Sequence, residues 1–220
     1  MKHLPRSLTP KILLAFMAIG AGIAAFATIA TEVREGDTNG FDHYIIQKLA
    51  FTQQNPELKQ IVRDITGVGG TTMLGLLTVL AVVFLVLAQK QRTALFVALS
   101  IGSGTLLMTL LKGLFNRPRP DVLPHGDYVS LASFPSGHSM MSAMVYLTLG
   151  SLIAGVVPTR RLGAYVMGVA LLMTAAVGIS RICLGVHWPT DVLAGWALGA
   201  AWALLWWSVA QWRQEYRRGQ

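Results

Sequence analysis

The chain has 220 residues, 53% apolar and 13% charged, with a formal net charge of +8. That length admits one domain, two at most, and the composition is too apolar for an ordinary soluble domain. The single cysteine, Cys183, excludes an internal disulfide and a thiolate metal site.

Six segments contain no Asp, Glu, Lys or Arg: Ile12–Thr31, Ile65–Gln89, Thr93–Leu111, Tyr128–Thr159, Leu162–Ser180 and Val192–Gln211. Each is about as long as, or longer than, the ~20 residues a helix needs to cross the hydrocarbon core. Backbone groups in lipid must pair within their own element, so such segments are helices. Buried helices of a soluble protein would carry polar stripes at helical period, and these carry few. The expectation is an all-α integral membrane protein, one domain over residues 1–220. Six transmembrane helices are placed at about 12–31, 68–89, 93–112, 137–158, 162–181 and 191–211.

The first segment, within Met1–Ala30, has an apolar run longer than a signal-peptide core and lacks a clear cleavage site, so it reads as the first span. The longest polar stretch, Glu32–Asp64, follows it. Here Phe41, Tyr44, Ile45, Ile46 and Leu49 approximate the spacing of a helix with one apolar face. A short helix in the outer membrane interface fits, as does a loop packed onto the bundle. Spans two and three meet in a tight turn at Lys90-Gln91-Arg92, and spans four and five at Pro158-Thr159-Arg160-Arg161. Near the end of the last span, Trp202, Trp206, Trp207 and Trp212 precede Arg213 and read as an interfacial aromatic belt with a basic anchor.

With the amino terminus inside, the cytoplasmic pieces hold 10 basic residues against the one acid Glu215, a net +9, while the outer pieces sum to −1. Lys and Arg concentrated in short inner loops set topology, so the basic excess is an orientation signal and not a nucleic-acid surface. The outer turns hold a different set of groups: Lys112, Arg117, Arg119, His125, His138, Arg181, His187 and Asp191. Spans three and five end on that side and spans four and six begin there. Four helix ends therefore converge at one membrane level.

Within this set three blocks stand out: Lys112-Gly-Leu-Phe-Asn-Arg117-Pro-Arg119-Pro120, Pro135-Ser136-Gly137-His138, and Ser180-Arg181 followed by His187 and Asp191. In spacing and order they resemble the signature of the type-2 phosphatidic-acid phosphatase superfamily. The resemblance covers residues 112–191, and the rest of the chain agrees only as a six-span pattern. It implies a catalytic core on spans three to six. It also implies a nucleophilic His187 that forms a phosphohistidine, with His138 as the acid that protonates the leaving oxygen.

The residue types suit that chemistry. A phosphoryl group in flight spreads negative charge over its oxygens, so positioning and electrostatic stabilisation dominate. Lys112, Arg119 and Arg181 supply cations without a metal, and the arginine fork matches two phosphate oxygens at once. Ser136 and Gly137 stand where a loop enters a helix, so free N–H groups can meet the phosphate, and Ser136 can serve as N-cap. Asp191, four residues after His187, can reach its ring, fix the tautomer and leave the other nitrogen free to attack. Only Arg119 has the family's spacing from Lys112; whether Arg117 also faces the ligand is open. His125 and Asp127 fall in the variable stretch between blocks, where a solvated loop is expected. Cys183 reads as a small packing residue.

The expected enzyme is a metal-independent phosphatase with no cofactor, acting on a lipid phosphate or pyrophosphate at the outer face of the bacterial inner membrane. Its partners are the lipid substrate and membrane lipids, with no nucleic acid. Undecaprenyl pyrophosphate is slightly favoured; phosphatidylglycerol phosphate, phosphatidate and lipid A phosphates are the alternatives. A phosphotransferase would use the same site, and the soluble haloperoxidases that share it are set aside by the six apolar segments.

Overall fold

The computed structural model describes residues 10–49, 51–121 and 132–218, and among these residues there is no strand. The helices are α1 (Pro10–Glu35), α2 (Asn39–Leu49), α3 (Phe51–Gln54), α4 (Pro56–Val68), α5 (Thr71–Leu87), α6 (Gln91–Leu114), α7 (Gly137–Ala154), α8 (Arg160–Cys183) and α9 (Pro189–Arg218).

Local chemistry sets several of the starts. Asn55 caps α4, its Oδ1 accepting from the N–H groups of Glu57 and Leu58 at 3.1 Å, and Pro56 occupies the first position, where its missing N–H costs nothing. Thr159 caps α8 by accepting from Leu162 N at 3.2 Å. Ser136 caps α7 and accepts from Ser139 N at 3.4 Å.

By length and apolarity, five runs among the described residues can cross a membrane: Ile12–Glu35, Pro56–Leu87, Gln91–Leu114, Arg160–Cys183 and Pro189–Arg213. Their outward faces are apolar; Leu106, Leu110 and Leu114 on α6, for example, are 60%, 59% and 70% exposed. In water such a surface would be an aggregation hazard, whereas in a bilayer it is the solvated face. The fourth expected span falls on α7, an 18-residue helix that is not among these five. It packs against α8 and α9, with Ser139 and Ser142 fully buried. A helix wrapped by protein need not be apolar all round, which is why α7 falls below the measure the others meet.

Some boundaries differ from expectation. The charge-free run from Ile65 does not form one element: it begins in α4, and Gly69 and Gly70 separate α4 from α5. The helix expected over 137–158 ends at Ala154, because the chain already turns at Gly155. The helix expected between Phe41 and Leu49 is α2, and only part of the expected face turns inward. Asp42 and Ile46 are fully buried, Ile45 and Leu49 pack beside them, and Phe41 and Tyr44 point outward. The tryptophans near the end of α9 also do more than line an interface. Trp202 Nε1 donates to Ser100 O at 2.9 Å, and Trp206 meets Phe96 edge-on at 5.5 Å, so both join α9 to α6.

Candidate active site

Four helix ends deliver the polar groups to one end of the bundle. Lys112 lies in the last turn of α6, Ser136 to His138 at the start of α7, Arg181 in the last turn of α8, and Asp191 in the first turn of α9. His187 stands in the short connection between α8 and α9. That connection turns at Gly185, whose φ of 69° is left-handed and accessible to glycine without strain. Gly185 N donates to Ile182 O at 2.8 Å and Val186 N to Arg181 O at 3.2 Å, so the segment carrying His187 is bonded back onto α8.

His187 is 2% exposed and Asp191 fully buried. His187 Nδ1 lies 3.4 Å from Asp191 Oδ2. The same Oδ2 accepts from Trp188 N at 2.9 Å and from the Ser133 hydroxyl, which also lies 3.4 Å from Nδ1. The opposite ring nitrogen, Nε2, faces Arg119 Nη1 at 3.3 Å. This arrangement suits a neutral imidazole with its proton on Nδ1 and its lone pair on Nε2. Burial drives the His187 pKa down from the ordinary histidine value to about 4; Asp191 pulls it up, and Arg119 and Arg181 add to the fall.

The other cations gather at the same end of the bundle, where Lys112 lies within electrostatic reach of Arg119, Asp191 and Arg181. Arg119 Nη1 also donates to Val186 O at 2.6 Å, Lys112 Nζ donates to Ala132 O at 3.2 Å, and Arg181 Nη1 donates to Thr66 Oγ1 at 3.1 Å. His138 lies within electrostatic reach of Arg181, His187, Lys112 and Arg119. Ser136 N donates to Asp191 O at 3.0 Å, which ties the start of α7 to α9. A Cβ on Gly137 would come 3.0 Å from Met108 Sδ and 3.4 Å from Lys112 Cε, so the missing side chain lets α6 bring Lys112 against α7. The eight expected site residues thus share one end of the bundle.

Arg117 has a different set of partners. It bridges two carboxylates, with Nη2 on Asp42 Oδ2 at 2.7 Å and Nη1 on Asp191 Oδ1 at 2.6 Å. Sequence reasoning missed Ser133, Asp42, Thr190 and Thr66. Ser133 stands three residues before Ser136, at a position no spacing rule marks, and Asp42 comes from a different part of the chain. Cys183 packs with Val62, Leu184 and Val186, as a small core residue would. His125 and Asp127 lie outside the described residues. Among the described residues no three His, Cys, Asp or Glu side chains are grouped to hold a metal.

A family model described as the PAP2 superfamily matches residues 93–215. The chain is 36% identical over 155 residues to phosphatidylglycerophosphatase B of Bacillus subtilis, spanning 70% of this chain and 76% of that protein. It is 33% identical over 115 residues to decaprenylphosphoryl-5-phosphoribose phosphatase of Mycobacterium tuberculosis, spanning 51% of this chain and 58% of that one. Among solved structures, the fold matches the transmembrane PAP2-type phosphatidylglycerolphosphate phosphatase of Bacillus subtilis. The TM-score is 0.82 at 29% identity, over 88% of this chain and 96% of the other.

Proposed function

Because the chain belongs to the PAP2 superfamily, we propose that it removes phosphate from a lipid phosphate or pyrophosphate through a covalent phosphohistidine at Nε2 of His187. That it is a membrane lipid phosphatase follows from the family, the relatives and the apolar helices. The observation that carries the finer reading is the orientation of His187, with Nδ1 at 3.4 Å from Asp191 and Nε2 at 3.3 Å from Arg119.

The Nε2 lone pair attacks phosphorus, a P–N bond forms, and the bond to the leaving oxygen breaks. The negative charge of the incoming phosphate favours the protonated form of His138, which gives its proton to that oxygen. Lys112, Arg119 and Arg181 hold the equatorial oxygens, with N–H groups at the start of α7 as further donors. Water then attacks phosphorus, His138 takes the water proton, and cleavage of the P–N bond restores Nε2. Throughout, Asp191 keeps the Nδ1 proton directed at itself.

The relative matched over 76% of its length is named phosphatidylglycerophosphatase B, so phosphatidylglycerol phosphate stands first among substrates and undecaprenyl pyrophosphate second. In this reading α7 also crosses the membrane, as the fourth of six spans, and the site faces the periplasm from the bacterial inner membrane. The test is a trapping experiment. Enzyme mixed with 32P-labelled phosphatidylglycerol phosphate and quenched in alkaline detergent should carry acid-labile label. His187→Ala should carry none, and label retained in that variant overturns the assignment. Labelled lipid released only in the presence of an acceptor lipid would make the enzyme a transferase.

A further inference from the structure

Asp42 and Arg117 have no part in the phosphate chemistry above, yet they form a densely bonded polar cluster. Asp42 is fully buried on α2. Its Oδ1 accepts from Thr190 N at 3.0 Å, and its Oδ2 from Thr190 Oγ1 at 2.6 Å and Arg117 Nη2 at 2.7 Å. Arg117 Nη2 also donates to Thr38 Oγ1 at 3.1 Å. Its Nη1 donates to Thr190 Oγ1 at 2.8 Å and to Asp191 Oδ1 at 2.6 Å. The guanidinium lies over the Trp188 ring, 5.4 Å from its centroid. A planar fork gripped on one side by Asp42 and stacked on Trp188 has little freedom left, so the bond it offers Asp191 is fixed in direction.

Asp191 is therefore held from both oxygens. Oδ1 receives Arg117, and Oδ2 receives Trp188 N and Ser133 while facing His187. Without Arg117 the carboxylate would keep only its Oδ2 bonds to Trp188 N and Ser133, and with Oδ1 released it could tilt about the Cβ–Cγ bond and misalign the acceptor that orients the imidazole.

We propose that Asp42 and Arg117 are positioning residues that act through Asp191, making the α2 segment a functional part of the active site. Asp42 lies outside residues 93–215, so this support reaches the family-matched region from a separate part of the chain. The proposal rests on the reading of His187 as nucleophile.

The test uses the full chain in detergent micelles with 32P-labelled phosphatidylglycerol phosphate. Phosphoenzyme formation in a single turnover, steady-state KM, orthovanadate inhibition and the melting temperature are measured for Asp42→Asn, Arg117→Lys and Arg117→Gln. Each substitution is made alone and in an Asp191→Asn background. Misdirecting a reacting group by about an ångström can cost ~10²-fold. By the same principle Arg117→Gln should slow phosphoenzyme formation about 100-fold and Asp42→Asn about 10-fold, with KM and vanadate affinity unchanged. Arg117→Lys, which keeps the charge but not the fork, should fall between wild type and Arg117→Gln. In the Asp191→Asn background none of these changes should slow the step further.

A raised KM and weakened vanadate inhibition, with phosphoenzyme formation intact at saturation, would make Arg117 a phosphate ligand and overturn the proposal. A lowered melting temperature with an unchanged rate in the folded fraction would reduce the cluster to scaffolding. Equal losses in both backgrounds would show an effect that bypasses Asp191. If Arg117→Gln does not fold, Asp42→Asn, which keeps the shape of the side chain, decides the matter. Label persisting in His187→Ala would defeat the nucleophile assignment itself, a result distinct from each of these.

Discussion

A histidine attacks phosphorus only as the neutral imidazole, so the protonation state of His187 decides whether it can react. Burial holds its pKa at about 4, which leaves Nε2 unprotonated throughout the neutral range. Reactivity is therefore retained as pH falls below the ordinary histidine value and is lost only as pH passes through about 4. The NMR titration of isotope-labelled histidine, assigned with His187→Ala, should show a midpoint there; one near the ordinary ~6.5 would contradict the burial. His138 is the complementary case. As the proposed acid it matters most when the leaving oxygen needs a proton. His138→Ala should therefore cost ~10²–10⁴-fold on a lipid phosphate and far less on p-nitrophenyl phosphate, whose phenolate departs unaided. Equal losses on both substrates would remove His138 from the acid role. These two histidines, the three cations and Asp191 were visible in the sequence because their type and spacing are distinctive. Ser133 and Asp42 were not, because a serine or an aspartate outside the spaced blocks becomes informative only once folding places it on Asp191 or Arg117.

At the scale of elements, the site depends on how closely α7 and α9 approach. Gly195 and Gly199 lie on the face of α9 that meets α7, and a Cβ on Gly199 would stand 2.5 Å from Met140 O. That neighbour is backbone and cannot rotate aside, so the helices themselves must part. Overpacking of this kind typically costs ~1–3 kcal/mol. The contact at stake includes Ser136 N to Asp191 O at 3.0 Å, which links the phosphate-facing start of α7 to the carboxylate that orients His187. Gly199→Ala should therefore lower the melting temperature and kcat together. Gly168→Ala on α8, where nothing lies within 4 Å of the new Cβ, should leave both unchanged. A Gly199→Ala enzyme as stable and active as wild type would mean that the helices accommodate the added methyl. The long helices were legible in advance because charge-free runs in a membrane protein have one structural solution. The inward face of α2 was not. Its apolar residues suggested Phe41 and Tyr44, but the buried ion pair of Asp42 with Arg117 turns those two outward.

For the whole molecule, the two ends of the bundle differ in charge as well as in chemistry. Lys90 and Arg92 flank the start of α6 and Lys112 ends it; Arg160 and Arg161 open α8 and Arg181 closes it. Each of these helices has 24 residues, about 36 Å at 1.5 Å per residue, enough to cross the hydrocarbon core. One end therefore collects basic turns that contain no acid, while the other sets its cations beside Asp42, Asp191 and the two histidines. Lys and Arg in short loops are retained on the cytoplasmic side, so the basic end should be inside and the catalytic end outside. Single cysteines can read this directly. The native Cys183 is buried and is replaced by serine to remove background. In intact cells, Asp121→Cys, beside the catalytic end, should react with a membrane-impermeant maleimide, while Gln91→Cys, at the start of α6, should react only after the membrane is permeabilised. Both positions are exposed, so a failure to label reports sidedness and not burial. The reverse pattern would place the histidines in the cytoplasm and require a lipid phosphate presented from the inner leaflet.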